Sequence, residues 1–293
     1  MMKNIINKIL IITCLFLLSS CNNKISTESK NSSTIQNTNQ STKSTSQNDK
    51  QNNEKIIYEI LGKSNKLTEK EKASAKKWME DIIRVARKNP DYVFVNGDTA
   101  KKQVALTFDD GPDGRITPKV LEILKQNNVK GNFFFIGENV VKYPSVVKKA
   151  YQQGNLVLNH SYNHPDFKKE NNDTVKNQIL RTENEIFKII GKKPAIIRPP
   201  YGDIDERIVK DILQTDNKVV IWSIDTLDWS QKERDNIIKN VLDNLRPGDI
   251  ILMHSNGDKS ETAAALPKIR SGIKEKGYEI VTLDKLLDIK AYK

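Results

Sequence analysis

The chain holds three histidines. His160 and His164 stand four apart within LNHSYNHPDF, residues 158–167, and His254 ends the apolar run DIILMH. So scarce a residue, placed twice in one short segment, points to a shared ligand. Two imidazoles and one carboxylate make a three-donor site that keeps coordination positions open for water and substrate, the arrangement of catalytic rather than structural zinc. VALTF, residues 104–108, runs into Asp109-Asp110, so one of these aspartates can complete the donor set while the other acts on a water beside the cation. Neighbouring carboxylates repel each other, and a cation next to them relieves that cost and lets both stay ionised.

Each polar cluster stands at the C-terminal end of a short apolar run. Asp109-Asp110 follow VALTF, His160 follows LVLN, Arg198 lies in AIIRPP, Asp225 and then Asp228-Trp229 follow KVVIWSI, and His254 follows DIILM. Between the runs, amphipathic periodicity predicts helices over TPKVLEILKQNN and over residues 138–152, 173–190, 205–214, 233–245 and 262–276. Apolar strands alternating with such helices predict parallel βα units. About seven units over residues 101–293 predict an α/β fold, a small distorted parallel (β/α) barrel. The C-terminal strand ends of a parallel barrel share one face, so the five clusters should converge there. Residues 55–100 read as an N-terminal extension, with an amphipathic helix over 66–89 stopped by Pro90 and a strand at YVFVNGD.

Lys3 and Lys8 precede an apolar run from Ile9 to Leu18, so residues 1–20 read as a signal peptide. Cys21 directly follows Leu18-Ser19-Ser20, which resembles a bacterial lipobox and predicts acylation of Cys21 as the new N-terminus. Loss of the leader removes Cys14 and with it any disulfide, so stability must come from the core. Residues 21–54 are almost wholly Ser, Thr, Asn, Gln and Lys and cannot bury enough to offset their ordering entropy. They predict a disordered tether with an average reach of roughly 30 Å. The formal charge of +11 falls to +9 without Lys3 and Lys8. Its lysines are scattered, as in Lys148-Lys149 and Lys192-Lys193, with no interleaved aromatics. That pattern argues against nucleic acid and suits an exported protein meeting anionic lipids and wall polymers.

Taken singly, each cluster has a structural reading. Asp109-Asp110-Gly111-Pro112 could be a turn, Arg198 before Pro199-Pro200 a loop anchor, Asp225 a cap, and Trp229 and Leu252 core residues. Convergence at successive strand ends favours catalysis. Together, TFDDGP (107–112), HSYNH (160–164), RPPYG (198–202), DTLDW (225–229) and LMH (252–254) resemble, in order, the polysaccharide deacetylases, the NodB homology domain of carbohydrate esterase family 4. Position by position, the resemblance implies that Asp110, His160 and His164 hold a divalent metal, zinc first with cobalt or nickel as substitutes. It implies that Asp109 is the general base paired with Arg198, and that His254 is the general acid tuned by Asp228. Trp229 and Leu252 would wall an apolar slot for an acetyl methyl, and the backbone N–H of Tyr201 would complete an oxyanion hole. One departure stands out: the family usually has His-Glu-x-Gly-Asn ahead of the first metal histidine, whereas this chain has Asn155-Leu156-Val157-Leu158-Asn159. Leu158 in place of glycine bears on the packing behind the metal and removes no ligand.

The expected substrate is the N-acetylglucosamine or N-acetylmuramic acid of peptidoglycan, within reach of a protein lipid-anchored to the outer face of a bacterial membrane. A chitooligosaccharide or other exopolysaccharide comes second and an O-acetyl xylan third. Non-haem iron oxygenases share the two-histidine, one-carboxylate set. They would need a redox co-substrate site, for which no motif appears, and would not require Arg198 or His254. A non-catalytic wall-binding lipoprotein would show a lost base or ligand, and none is missing. A monomer is expected.

Overall fold

The structure, a computed structural model, describes residues 55–293. The expected signal peptide, the lipidation site at Cys21 and the tether lie outside the described residues. Helix α1 (Glu69–Lys88) begins at Thr68, whose hydroxyl accepts the Glu71 N–H while the Glu71 carboxylate accepts the Thr68 N–H, a reciprocal cap. The helix ends at Asn89, before Pro90, and buries Ile82, Ile83, Val85 and Ala86.

The strands follow as β1 (Val93–Phe94), β2 (Gln103–Asp109), β3 (Asn132–Phe135), β4 (Leu156–Asn159), β5 (Ile196–Ile197), β6 (Lys218–Val220), β7 (Ile224–Asp225), β8 (Ile250–His254) and β9 (Glu279–Ile280). Their spatial order is β1-β6-β5-β4-β3-β2-β8-β7 with β9 beside β2, and every pair is parallel. The sheet curls into a half-barrel surrounded by α2 (Ile116–Gln126), α3 (Gly137–Lys142), α4 (Pro144–Gln152), α5 (Asn172–Ile190), α6 (Glu206–Leu213), α7 (Arg234–Leu242), α8 (Ser260–Glu275) and α9 (Leu283–Leu287). This is the distorted barrel the alternating pattern predicts.

Two predicted elements divide. KVVIWSID reads as one strand, yet its halves sit at opposite ends of the strand order. Ile221 N–H still donates to Phe94 O, beside β1, whereas Ser223 N–H donates to Ile250 O and the Ser223 hydroxyl to Asp249. The run therefore crosses the seam of the barrel between Ile221 and Ser223, and periodicity cannot register a change of partner. The predicted helix over 138–152 breaks into α3 and α4 at Tyr143 (φ -128, ψ 53), because Pro144 has no N–H to continue the helix.

The period-2 pleat sorts side chains between the two sheet faces. Leu106, Phe108, Phe133, Phe135, Val157, Ile251 and Met253 share one buried cluster with residues of α2 and α8. Ala105, Phe134, Leu158, Ile250 and Leu252 belong to a second. Asp109, two residues beyond Thr107 and four beyond Ala105, shares their face and pairs in register with His254. Leu158 pairs with Phe134 and is fully buried, two residues below His160 on the same face. It fills the space behind the site that a glycine would leave open. Leu158→Ala is expected to cost about 2–5 kcal/mol of unfolding free energy in urea titrations, with divalent-cation affinity retained.

Candidate active site

The C-terminal end of β2 delivers Asp109 inward beside Arg198, which follows β5. Arg198 is fully buried and Asp109 nearly so. The guanidinium donates four hydrogen bonds: Nη1 to Asp109 Oδ1 (2.8 Å) and Thr107 Oγ1 (2.9 Å), Nε to Val220 O (3.1 Å) and Nη2 to Ile221 O (2.6 Å). It also lies over the Phe134 ring at 4.2 Å. Burial lowers the Arg198 pKa and the Asp109 charge opposes that shift. One Asp109 oxygen is thus pinned. The other, Oδ2, is 3.8 Å from His160 Nε2.

Asp110 has a left-handed backbone (φ 68), and its carboxylate faces the same His160 nitrogen although successive residues of a strand point to opposite faces. Ser161 (φ 66) and His164 (φ 59) share that uncommon conformation, the kind of local strain that gathers at functional sites. The 160–164 loop is held by the Tyr162 and Asn163 N–H groups donating to Gln178 Oε1, and by His164 N–H donating to Ser161 Oγ. His160 Nδ1 lies 2.7 Å from Arg198 O. A carbonyl can only accept, so Nδ1 carries the proton and Nε2 presents a lone pair. That lone pair faces Asp110 Oδ1 at 3.4 Å, and His164 Nε2 faces the same oxygen at 3.4 Å.

Burial lowers His164 to about 4, so it is neutral near pH 7. Burial opposes ionisation of Asp110, but the His160 and His164 imidazoles, when protonated, outweigh it and hold its carboxyl well below the usual range. With the imidazoles neutral, three electron-pair donors converge, all within 4.8 Å of one another. Such a set fits a divalent cation, and three protein donors leave coordination positions open.

His254, at the end of β8, lies on the other side of β2 from β3. Its Nδ1 is 2.7 Å from Asp228 Oδ1, and its backbone N–H donates to Asp228 Oδ2 (2.9 Å). The Thr262 hydroxyl also donates to Asp228 Oδ2 (2.7 Å). Burial works against the imidazolium, but the Asp228 carboxylate outweighs it and His254 is pushed up to about 9. Asp225 is more than a cap. Its carboxylate accepts the Leu227 N–H (2.8 Å) and the Trp229 indole N–H (3.3 Å), which fixes the half-buried indole. Burial raises Asp225 to about 6, with the Leu227 N–H pulling the other way. Leu252 pairs in register with Asp225, the residue whose carboxylate holds the Trp229 indole. The Tyr201 ring lies 4.6 Å from that of His164, on a left-handed backbone (φ 63).

Every site residue singled out from the sequence within the described residues thus gathers at one end of the parallel sheet. Three supporting residues escaped that reading. Thr262, in α8, carries no motif and becomes visible only through its bond to Asp228. Gln178 and Thr182, whose hydroxyl donates to Gln178 O (3.0 Å), left a weak signal, as polar residues on the buried stripe of α5 alongside Val175, Ile179 and Ile186.

Fold and site together define a hydrolase of the polysaccharide deacetylase family, to which the chain belongs. The model of that family matches residues 96–220. A peptidoglycan-N-acetylglucosamine deacetylase of Bacillus cereus is 45% identical over 194 residues, covering 66% of this chain and 70% of that protein. Another from Listeria monocytogenes, PgdA, is 40% identical over 185 residues, 63% of this chain and 39% of that protein. Among solved structures, a peptidoglycan N-acetylglucosamine deacetylase bound to 4-naphthalen-1-yl-N-oxidanyl-benzamide superposes with a TM-score of 0.68 at 41% identity, covering 70% of this chain and 97% of that one.

Proposed function

We propose that the protein is an exported, lipid-anchored, metal-dependent hydrolase that removes N-acetyl groups from the amino sugars of peptidoglycan. One observation carries the reading: three lone-pair donors converge beside a carboxylate pinned by a buried arginine, with a carboxylate-bound imidazole on the neighbouring strand. The relatives' substrates favour peptidoglycan over a chitooligosaccharide, another exopolysaccharide or an O-acetyl xylan.

Asp110, His160 and His164 would hold the cation, zinc first with cobalt or nickel as substitutes. When bound, it would acidify the attacking water and polarise the acetamide carbonyl. Asp109 Oδ2, left free by Arg198, takes the proton of the attacking water. The Tyr201 backbone N–H supplies a donor for the developing oxyanion, a contribution of about 3–4 kcal/mol in comparable sites. His254 Nε2, opposite the nitrogen held by Asp228, gives its proton to the sugar nitrogen. The C–N bond then breaks to leave a free amine and acetate. Trp229 and Leu252 enclose the methyl.

Acetate release from purified peptidoglycan and from chitopentaose, with and without chelator and added zinc, tests this reading. Faster metal-dependent release from peptidoglycan is expected; no release from either substrate, with zinc present, would end it. The anchor is supported by Leu18-Ser19-Ser20-Cys21. Cys21→Ala should move the protein from the membrane fraction into the medium.

The pH dependence follows from His254. Its pKa is raised, so its pairing with Asp228 stabilises the fold fully below about pH 6.5 and is lost as pH rises through about 9. Activity should fall on the alkaline side at or below that value, since a cation at Asp110 offsets part of the negative charge that holds the proton. Asp228→Asn should shift the alkaline limb down by about one to two pH units, read from pH–rate profiles.

A further inference from the structure

Residues 60–64 precede the part of the chain that the family model matches, and the sequence shows no chemistry in them. In the structure they lie along the outer edge of β7. Leu61 pairs in parallel with Ile224, donating its N–H to Ser223 O (2.9 Å) and accepting the Asp225 N–H (2.7 Å). Gly62 sits so close that a Cβ there would stand 2.3 Å from the Asp225 carbonyl oxygen. Lys63 O accepts from the Asn240 and Gln231 side-chain amides (2.9 and 3.2 Å). Both of those amides also bond to Thr226 O (2.9 and 3.4 Å), so the same two side chains clamp the segment to the turn after β7.

That turn carries the groups on which the slot depends. Asp225 grips the Trp229 indole, Leu227 is left-handed (φ 55), and Asp228 holds His254. We infer that residues 60–64 are a strap that positions the Asp225–Trp229 turn, and that Gly62 is a positioning residue for the acetyl slot. The inference rests on the reading of Trp229 as a wall of that slot. The strap supplies β7 with the backbone partner it lacks on its outer side, and the missing Cβ at Gly62 sets how deeply Asp225 sits. A Cβ there pushes on main chain rather than on a flexible side-chain tip, so Asp225 must shift and Trp229 must follow.

The test compares Gly62→Ala with Gly191→Ala in the full chain. Gly191 is left-handed (φ 69) with nothing within 4 Å of an added Cβ, so its substitution imposes backbone strain far from the site. Gly62→Ala should lower kcat/KM for N-acetylated oligosaccharide about tenfold or more beyond Gly191→Ala, since misplacement by a fraction of an ångström is costly in an oriented site. Zinc affinity by calorimetry should stay at the parent value. Most of the loss should vanish in a Trp229→Phe background, where the positioned group is gone. Acrylamide quenching assigned to Trp229, by difference from Trp229→Phe, should rise.

If Gly62→Ala does not fold, Ser64→Ala takes its place. It removes the hydroxyl's contact to Ser230 (3.1 Å) and its bond from the Lys66 N–H (3.1 Å), and should act in the same direction to a smaller extent. A folded strap variant that matches Gly191→Ala in both kcat/KM and Trp229 quenching overturns the inference. The quenching readout needs no turnover, so a parent chain that releases no acetate defeats the proposed function while the strap is still judged on its own.

Discussion

Asp109→Asn is expected to lower acetate release by about 10²- to 10⁴-fold, the range for loss of a positioned general base. Asparagine has the shape of aspartate, so the Arg198 contact can persist through its carbonyl oxygen. That leaves the amide nitrogen where Oδ2 stood, 3.8 Å from His160 Nε2. A donor then occupies the position that must accept a proton from water. Folding stability should also drop, by roughly 3 kcal/mol or more, because removal of one charge leaves a fully buried guanidinium without its counter-ion. Cation uptake should survive, since Asp109 is outside the converging donor set. Rates and calorimetric metal titrations, both taken well below the unfolding temperature, separate these effects. An Asp109→Asn chain that binds zinc and hydrolyses at the parent rate would remove Asp109 from the chemistry.

The opposite dissociation is expected for His164→Ala. The side chain is partly exposed, so the fold tolerates its loss better than that of buried His160. Two donors, Asp110 and His160, cannot replace three. Divalent-cation affinity should fall by at least about 100-fold, the upper end of what loss of a mere supporting contact does. Activity should drop by about 10³-fold or more, since a Lewis acid contributes several kcal/mol to such a barrier. Thermal unfolding supplies an independent readout. Zinc at a hundredfold excess over its Kd should stabilise the parent chain by about 2.7 kcal/mol, and the variant should show no such shift at the same concentration. Below pH 4 protons compete for His164, so the zinc-induced shift in the parent chain should also fade on acidification. A His164→Ala chain that retains both the thermal shift and the activity would place the cation elsewhere.

The fold class and the convergence of the site were legible because both follow from local patterns. Apolar runs alternating with amphipathic helices specify parallel units, and a parallel sheet puts every C-terminal strand end on one face. Asp109, Asp110, His160, Arg198, Asp228 and His254 all stand at or just past such ends, so their proximity is a consequence of topology. The seam between Ile221 and Ser223 was not legible, because KVVIWSID reads as one continuous strand and only the partners of its halves, β1 and β8, differ. Nor was the strap. Leu61, Gly62 and Lys63 act through main-chain atoms, which leave no residue-type signature.

By itself, the sequence determined which groups are present: three histidines, a pair of adjacent aspartates and one arginine after a strand, each tied to a strand end by a few residues of local chain. Only the tertiary structure decided their states. The His160 tautomer depends on a carbonyl 38 residues away, the orientation of Asp109 on an arginine 89 residues away, and the proton on His254 on a carboxylate 26 residues away. Burial and charge at 3–4 Å set protonation and direction, and those distances exist only once the barrel has brought remote segments together.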